Sequence, residues 1–237
     1  MNREIEIIFE DNDIIICRKP SGIATQTKRL GQQDMETLLK NYRAKKGEPP
    51  YIGIVHRLDQ PVEGVMVFAK NQKAVAGLSK QVQQRVIGKH YYAVSGNAPK
   101  EPQGVLVNYL LTDKKTNYTQ VIEGTDGTWS VTDHTKDAKK AKLEYTVKES
   151  KEGKTLFDIQ LHTGRQHQIR VQMAHMGCPL IGDGKYGDGQ DIAGTQRRST
   201  NGLALCSYRL EFEHPSTHKK MDFKIVPSGV LFQEFFA

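Results

Sequence analysis

Apolar and polar positions alternate from Ile5 to Phe9, with Ile5, Ile7 and Phe9 on one side, the pattern of a half-buried strand. Asp11-Asn12-Asp13 then marks a turn, and Ile14–Cys17 is a short apolar run, so the chain opens on a predicted hairpin that Lys19-Pro20-Ser21-Gly22 breaks. Over Asp34–Tyr42 the residues Met35, Leu38, Leu39 and Tyr42 fall on one helical stripe. The runs Tyr51–Val55 and Val65–Ala69 predict two strands around a tight loop, and Val75, Leu78, Val82 and Val86 repeat at helical spacing within Gln72–Val86. Lys89–Val94 and Val105–Leu111 read as strands, and Thr112–Lys140 is polar and the least regular stretch, with room for short strands. Leu143, Tyr145 and Val147 alternate, as do Phe157, Ile159 and Leu161, with Lys151-Glu152-Gly153-Lys154 between them as a hairpin turn. Thr163-Gly164 opens a predicted helix from about Arg165 to Met176, with Gly177 and Pro179 as its stop. Gly182–Thr200 reads as loop, and Leu203–Glu213 and Met221–Ile225 as strands. The pattern predicts one α+β domain over residues 1–237: a large, mostly antiparallel mixed sheet flanked by helices and loops.

A chain of 237 residues can bury a sizeable core. No run approaches the roughly 18 apolar residues of a membrane helix. The charged N-terminus, Met1-Asn2-Arg3-Glu4-Ile5-Glu6, passes straight into a strand pattern and does not read as a signal or transit peptide, so a cytoplasmic protein without a membrane partner is expected. Cys17, Cys178 and Cys206 are sparse and odd in number, which suits a reducing compartment and argues against a disulfide framework. With no Cys-x-x-Cys pair, and with His162, His167 and His175 lacking a carboxylate at ligand spacing, no metal is expected. Lys and Arg number 34 against 27 acidic residues, a formal charge of +7 that biases the protein toward polyanions, nucleic acid first among them.

Chemistry concentrates in His56-Arg57-Leu58-Asp59-Gln60-Pro61-Val62-Glu63-Gly64, between the two predicted strands. An acidic residue at a strand end, in a loop with Pro and Gly, can be presented to a substrate, although the same residues also make ordinary turns. The order differs from the His-Arg-Asp of protein kinases, and neither a Gly-rich loop before Val-Ala-Ile-Lys nor an Asp-Phe-Gly is present.

This loop resembles the catalytic loop of the RluA family of pseudouridine synthases, His-Arg-Leu-Asp, four variable residues, then Gly. Lys89-His90-Tyr91 resembles that family's Lys-x-Tyr strand, and Thr163-Gly164-Arg165-Gln166-His167-Gln168-Ile169-Arg170 its Thr-Gly-Arg-x-His-Gln-Ile/Leu-Arg, continuing through Gly177-Cys178-Pro179-Leu180-Ile181-Gly182-Asp183 to Tyr186-Gly187. Lys19-Pro20-x-Gly22 and His214-Pro215 match smaller turns, so the resemblance covers nearly the whole chain. It implies a stand-alone pseudouridine-synthase-type domain without an S4-type RNA-binding domain, a monomer that needs no cofactor, and a uridine in ribosomal or transfer RNA as substrate. It implies Asp59 as nucleophile, Tyr91 near the target base as the group that helps remove its C5 proton, and Arg165 as the ion-pair partner of Asp59. Ile169 is expected to pack on the tyrosine or base, with His56, Arg57, Gln60 and Arg170 completing the substrate site. Such a pairing has a physical reason, since a shielded carboxylate is costly unless a guanidinium keeps it charged and fixes its rotamer.

The chain also departs from the pattern. Gln60 replaces a frequent Arg, Pro61-Val62-Glu63 replaces an acidic-Thr-Ser run, and Gln172 takes a position often filled by His. Lys28, Arg29, Lys139, Lys140, Arg197 and Arg198 are candidate phosphate contacts. Two alternatives remain at this point: a non-catalytic RNA-binding protein on the same scaffold, and a hydrolase with an Asp nucleophile that ignores RNA.

Overall fold

The computed structural model describes residues 5–27, 29, 31–122, 136–187 and 202–236. In chain order the elements are β1 (Ile7–Glu10), β2 (Ile14–Lys19), α1 (Met35–Lys45), β3 (Gly53–Ile54), β4 (Glu63–Ala69), α2 (Gln72–Gln84), β5 (Gly88–Ser95), β6 (Gln103–Asp113), β7 (Tyr118–Ile122), β8 (Lys139–Lys151), β9 (Lys154–Leu161), α3 (Gln168–His175), β10 (Leu205–Glu213), β11 (Lys220–Lys224) and, after a 3-10 turn at Val230–Phe232, α4 (Gln233–Phe236). Strands dominate and helices are few, the expected α+β class. These elements group into two compact units, one built from the chain up to His90 together with Cys206–Gly229, the other from Tyr91–Leu205 with Val230–Phe235. Lys28, Arg197 and Arg198 lie outside the described residues, as does most of the predicted Gly182–Thr200 loop.

In the first unit the strand order is β1-β2-β4-β10, with β11 on β10. All pairs are antiparallel except β4 with β10, which run parallel through Glu63–Cys206 and Gly64–Ser207. The β1–β2 hairpin turns on Asp11, whose Oδ1 accepts the N–H groups of Asp13 and Ile14 at 2.8 and 2.9 Å. Asp34 caps α1 by accepting the Thr37 N–H at 2.8 Å, and the helix runs past the predicted Tyr42 to Lys45. Asn71 caps α2 in the same way, and Arg85 ends it in the left-handed conformation at φ 58°. Alternate residues Ile14, Ile16, Val65, Val67, Leu210 and Phe212 form one core face, covered by Ala74 and Leu78 of α2. Every residue of β4 is buried, as expected for a central strand covered on both faces, which is why Val65–Ala69 shows no alternation in sequence.

The predicted strand Tyr51–Val55 contracts to Gly53 and Ile54. The reason lies in β4, which pairs with β3 at Phe68 and Ala69 and with β10 at Glu63 and Gly64. Between those points the Val67 N–H is taken by the His56 Nε2 at 3.1 Å, so an imidazole stands in for a strand.

In the second unit the order is β5-β9-β8-β6-β7. β8 and β9 form the predicted hairpin, with a register irregularity between Val147 and Glu149. β7 lies inside the stretch read as irregular; it pairs with β6 from Tyr109–Ile122 to Asp113–Tyr118. The helix α3 packs on β6 and β7, with Val171 against Leu110 and Ala141. The C-terminal turn and α4 carry no caps or periodicity long enough to be read from sequence. No helix among the described residues is long and apolar enough to cross a membrane.

Candidate active site

Asp59 belongs to the first unit and is half-exposed, between exposed Arg57 and exposed Gln60 and next to buried Leu58. Its loop rests on the segment from Lys19 to Thr25. The Lys19 ammonium is fully buried and donates to the carbonyls of Pro20, Ile23 and Gln60 at 3.0, 2.6 and 3.1 Å. The Gly22 N–H donates to the Gln60 carbonyl at 2.9 Å, and the Gln60 amide returns a bond to the Gly22 carbonyl at 3.0 Å. The Ser21 hydroxyl holds the Pro61 carbonyl at 2.7 Å. Thr25 Oγ1 accepts from the Leu58 N–H and donates to the Leu58 carbonyl. Within the loop, the Val62 N–H closes a turn onto the Asp59 carbonyl at 3.0 Å. Most of these bonds end on main-chain atoms of the loop, which fixes the path of residues 58–62.

The shape of the loop end has a steric cause. Gly64 sits at φ 153°, and a Cβ there would lie 2.4 Å from the Ser207 Cβ and 2.7 Å from the Ser207 N and O. Only glycine lets β10 approach β4 at this point.

Burial shapes the charges around the loop. Burial pushes the Lys19 ammonium down to about 7, and the nearby charges of Asp59 and Glu63 oppose that shift. Burial, and next the Lys89 ammonium, push His56 down to about 4. His56 is therefore neutral near pH 7, which its role as acceptor from Val67 requires. Burial also lowers Lys89 from its ordinary value.

The second unit holds Tyr91, Arg165, Ile169 and Arg170. Tyr91 is buried on β5, 6% exposed, and Ile169 is 4% exposed on α3. The helix predicted from about Arg165 begins instead at Gln168. His167 adopts the left-handed conformation at φ 52°, and Gln168 Oε1 accepts both the Thr163 hydroxyl at 2.8 Å and the Arg165 N–H at 3.0 Å. Residues 163–167 thus form a side-chain-locked turn, and Arg165 does not share a helical face with Ile169 and Gln172. Its Nε donates to the Lys140 carbonyl at 3.0 Å, which orients the guanidinium from β8.

Arg170 is buried and grips Asp183 with Nε and Nη2 at 2.8 and 2.7 Å, while its guanidinium lies 5.0 Å from the Tyr186 ring centre. Burial would raise the Asp183 carboxyl, but Arg170 and the N–H groups of Lys185 and Tyr186 hold it below its ordinary value. The Tyr186 hydroxyl meets His167 Nδ1 at 2.7 Å and accepts the Thr119 N–H at 3.0 Å. Gln172 reaches Asn108 at 2.6 Å and the Leu106 carbonyl at 3.3 Å, so this departure from His is absorbed by β6.

His56, Arg57, Asp59 and Gln60 are therefore brought together on one loop, and Arg165, Ile169 and Arg170 on one turn and helix. The cleft between β7 and α3, lined by Tyr118, Val171, His175 and Tyr186, contains none of these residues. Sequence reasoning missed Thr25 and Ser21 as supports of the Asp59 loop and read Lys19 only as part of a turn. Little in the sequence marked it, since Lys19 follows Arg18 beyond the apolar run; its burial shows only in the three carbonyls that a buried ammonium needs.

Comparisons with known proteins match these features. The family model for RNA pseudouridylate synthase fits residues 13–175, a span that includes Asp59, Tyr91, Arg165, Ile169 and Arg170. An uncharacterized RNA pseudouridine synthase of Bacillus subtilis, YhcT, is 33% identical over 90% of this chain and 66% of its own length. The dual-specificity RNA pseudouridine synthase RluA of Vibrio vulnificus is 34% identical over 90% of this chain and 79% of its own. Human RNA pseudouridylate synthase domain containing 4 shares the fold with a TM-score of 0.73 at 23% identity, covering 94% of this chain and 89% of that one. The chain thus spans just under two thirds of the length of the Bacillus subtilis relative.

Proposed function

Since the chain belongs to the RNA pseudouridylate synthase family, we propose that it isomerises one or more uridines of a structured RNA to pseudouridine, with Asp59 as the nucleophile. The observation that carries this reading is the Asp59 loop itself. Its main chain is pinned from Lys19, Ser21, Gly22 and Thr25 while the aspartate stays half-exposed, as a nucleophile that must meet a bulky substrate requires.

In the reaction the N1–C1′ bond breaks and a C5–C1′ bond forms. C5 loses a proton and N1 gains one, so oxidation state is unchanged and no cofactor is called for. Asp59 forms the covalent adduct that divides the exchange into two steps. Tyr91 assists removal of the C5 proton. Arg165 is assigned to the reaction as the partner of the Asp59 carboxylate, on the family resemblance. Arg57, Gln60 and Ile169 meet the nucleotide, and His56 and Arg170 support that surface through Val67 and Asp183. The target base leaves its stack at a cost of a few kcal/mol, least in loops and bulges of ribosomal or transfer RNA. Exposed Lys139 and Lys140 are the phosphate contacts nearest the Arg165 turn.

The test is pseudouridine mapping on total RNA from cells lacking the gene, complemented with wild type or Asp59→Asn. A site that vanishes on deletion and returns only with wild type is the expected result. Full restoration by Asp59→Asn would remove the nucleophile and leave an RNA-binding role.

A further inference from the structure

Glu63 is an anomaly. It occupies a buried strand position, 4% exposed, in the loop where the family pattern carries Ser, and a carboxylate there is costly unless it is fully bonded. Its hydrogen-bond donors come from one short segment far away in sequence. Oε1 accepts the N–H groups of Ser228 and Gly229 at 3.1 and 3.0 Å, and Oε2 accepts the Ser228 hydroxyl at 2.5 Å. Arg18 Nη1 lies 3.8 Å from Oε2 and donates to the Val226 carbonyl at 3.0 Å, so it holds the same segment from the other side. The Ile225 N–H anchors that segment to the Tyr208 carbonyl on β10 at 2.8 Å.

We propose that Glu63 is a positioning residue for Asp59: by clamping Val226–Gly229 it fixes the C-terminal end of the loop whose N-terminal half is fixed by Lys19–Thr25. The proposal rests on Asp59 being the nucleophile. Three residues separate the two acidic groups, and the turn from the Val62 N–H to the Asp59 carbonyl ties them mechanically. Gly64, wedged against Ser207, leaves the main chain no slack on the other side. A shift at Glu63 is therefore passed to Asp59, and a displacement of about 1 Å at a reacting group can lower a rate by about a hundredfold.

The experiment uses the full chain and a transcript carrying the uridine identified by the mapping above, labelled with tritium at C5, and compares wild type, Glu63→Gln, Glu63→Ala, Ser228→Ala and Asp59→Asn. Hydrogen exchange of residues 58–63 is followed in parallel. Gln keeps one carbonyl oxygen for the two N–H groups, so the expected order of kcat is wild type, then Gln, then Ala, with Ala lowered at least about tenfold and KM within about twofold. The loop amides exchange faster in the same order. Wild-type kcat in Glu63→Ala, a loss confined to KM, or unchanged loop exchange would overturn the proposal. Should Glu63→Ala not fold, exposed Ser228→Ala removes one donor alone and is expected to lower kcat about threefold with faster loop exchange; unchanged values count against the clamp. If wild type itself releases no tritium, the synthase reading fails, and the exchange comparison still decides whether Glu63 holds the loop.

Discussion

The Asp59 loop in the first unit and the Thr163–Arg170 segment in the second are both held tightly, by opposite means. The loop is held mostly through its own carbonyls and N–H groups, at Leu58, Asp59, Gln60 and Pro61, by donors and acceptors on neighbouring chain. The second segment is held through its own side chains: Thr163 and Gln168 lock the turn, and Arg170 grips Asp183. Main-chain atoms are the same in every residue. The loop can therefore carry Gln60, Pro61 and Val62 in place of other residues and keep its path, whereas the second segment needs its particular side chains. This fits the longest match to the family pattern lying at Thr163–Arg170, while most of the departures lie beside Asp59. Glu63 is the main exception in the loop, since its side chain does the holding, with the Gln60 amide adding one bond to Gly22.

The comparison is broken most directly by substitution in the second segment. Arg170→Lys keeps the charge but loses the two-point grip on Asp183 and the contact with the Tyr186 ring. It is expected to cost roughly 3 kcal/mol in the denaturation midpoint of the full chain. A loss below about 0.5 kcal/mol would show that side-chain identity matters no more there than in the loop.

A smaller effect comes from His56, whose imidazole is the one side-chain acceptor completing β4. Its pKa in the folded chain, about 4, lies below the ordinary 6.5, so the unfolded chain binds the extra proton first. Its contribution is complete above about pH 6.5 and is lost as pH falls through about 4. Between pH 7 and 5 this amounts to roughly 2 kcal/mol. Denaturation midpoints of wild type and His56→Gln across that range check it: the slope with pH should flatten in the variant.

The smallest effect is expected at Gln60. Gln60→Ala removes one exposed amide bond to Gly22, but the Gln60 carbonyl keeps both Lys19 and the Gly22 N–H. Its stability should stay within about 0.5 kcal/mol of wild type. A larger loss would mean that the loop depends on its side chains after all.

Most of the fold was legible because it rests on local pattern. Asp34 and Asn71 cap their helices where the stripes begin, and the β8–β9 hairpin lies where alternation and Lys151–Lys154 place it. The errors share a cause. β3 shrinks because a histidine from beyond its end takes a strand's place on β4, and α3 starts late because Gln168 turns back onto Thr163 and Arg165. In both, a side chain satisfies a backbone or a neighbour that periodicity cannot see. β7 is one of the short strands that the least regular stretch had room for, and its bounds were not legible because an edge strand that pairs with β6 needs few apolar residues of its own.

By itself the sequence determined the class of fold, the identity of the acidic loop and the residue types around it, since these follow from period, caps and motif. Only the tertiary structure decided what supports that loop. Lys19 and Thr25 lie more than 30 residues before their partners Gln60 and Leu58, and Ser228 lies 165 residues after Glu63. Such bonds depend on which strands become neighbours, and the parallel pairing of β4 with β10, between segments far apart in the chain, leaves no local signature.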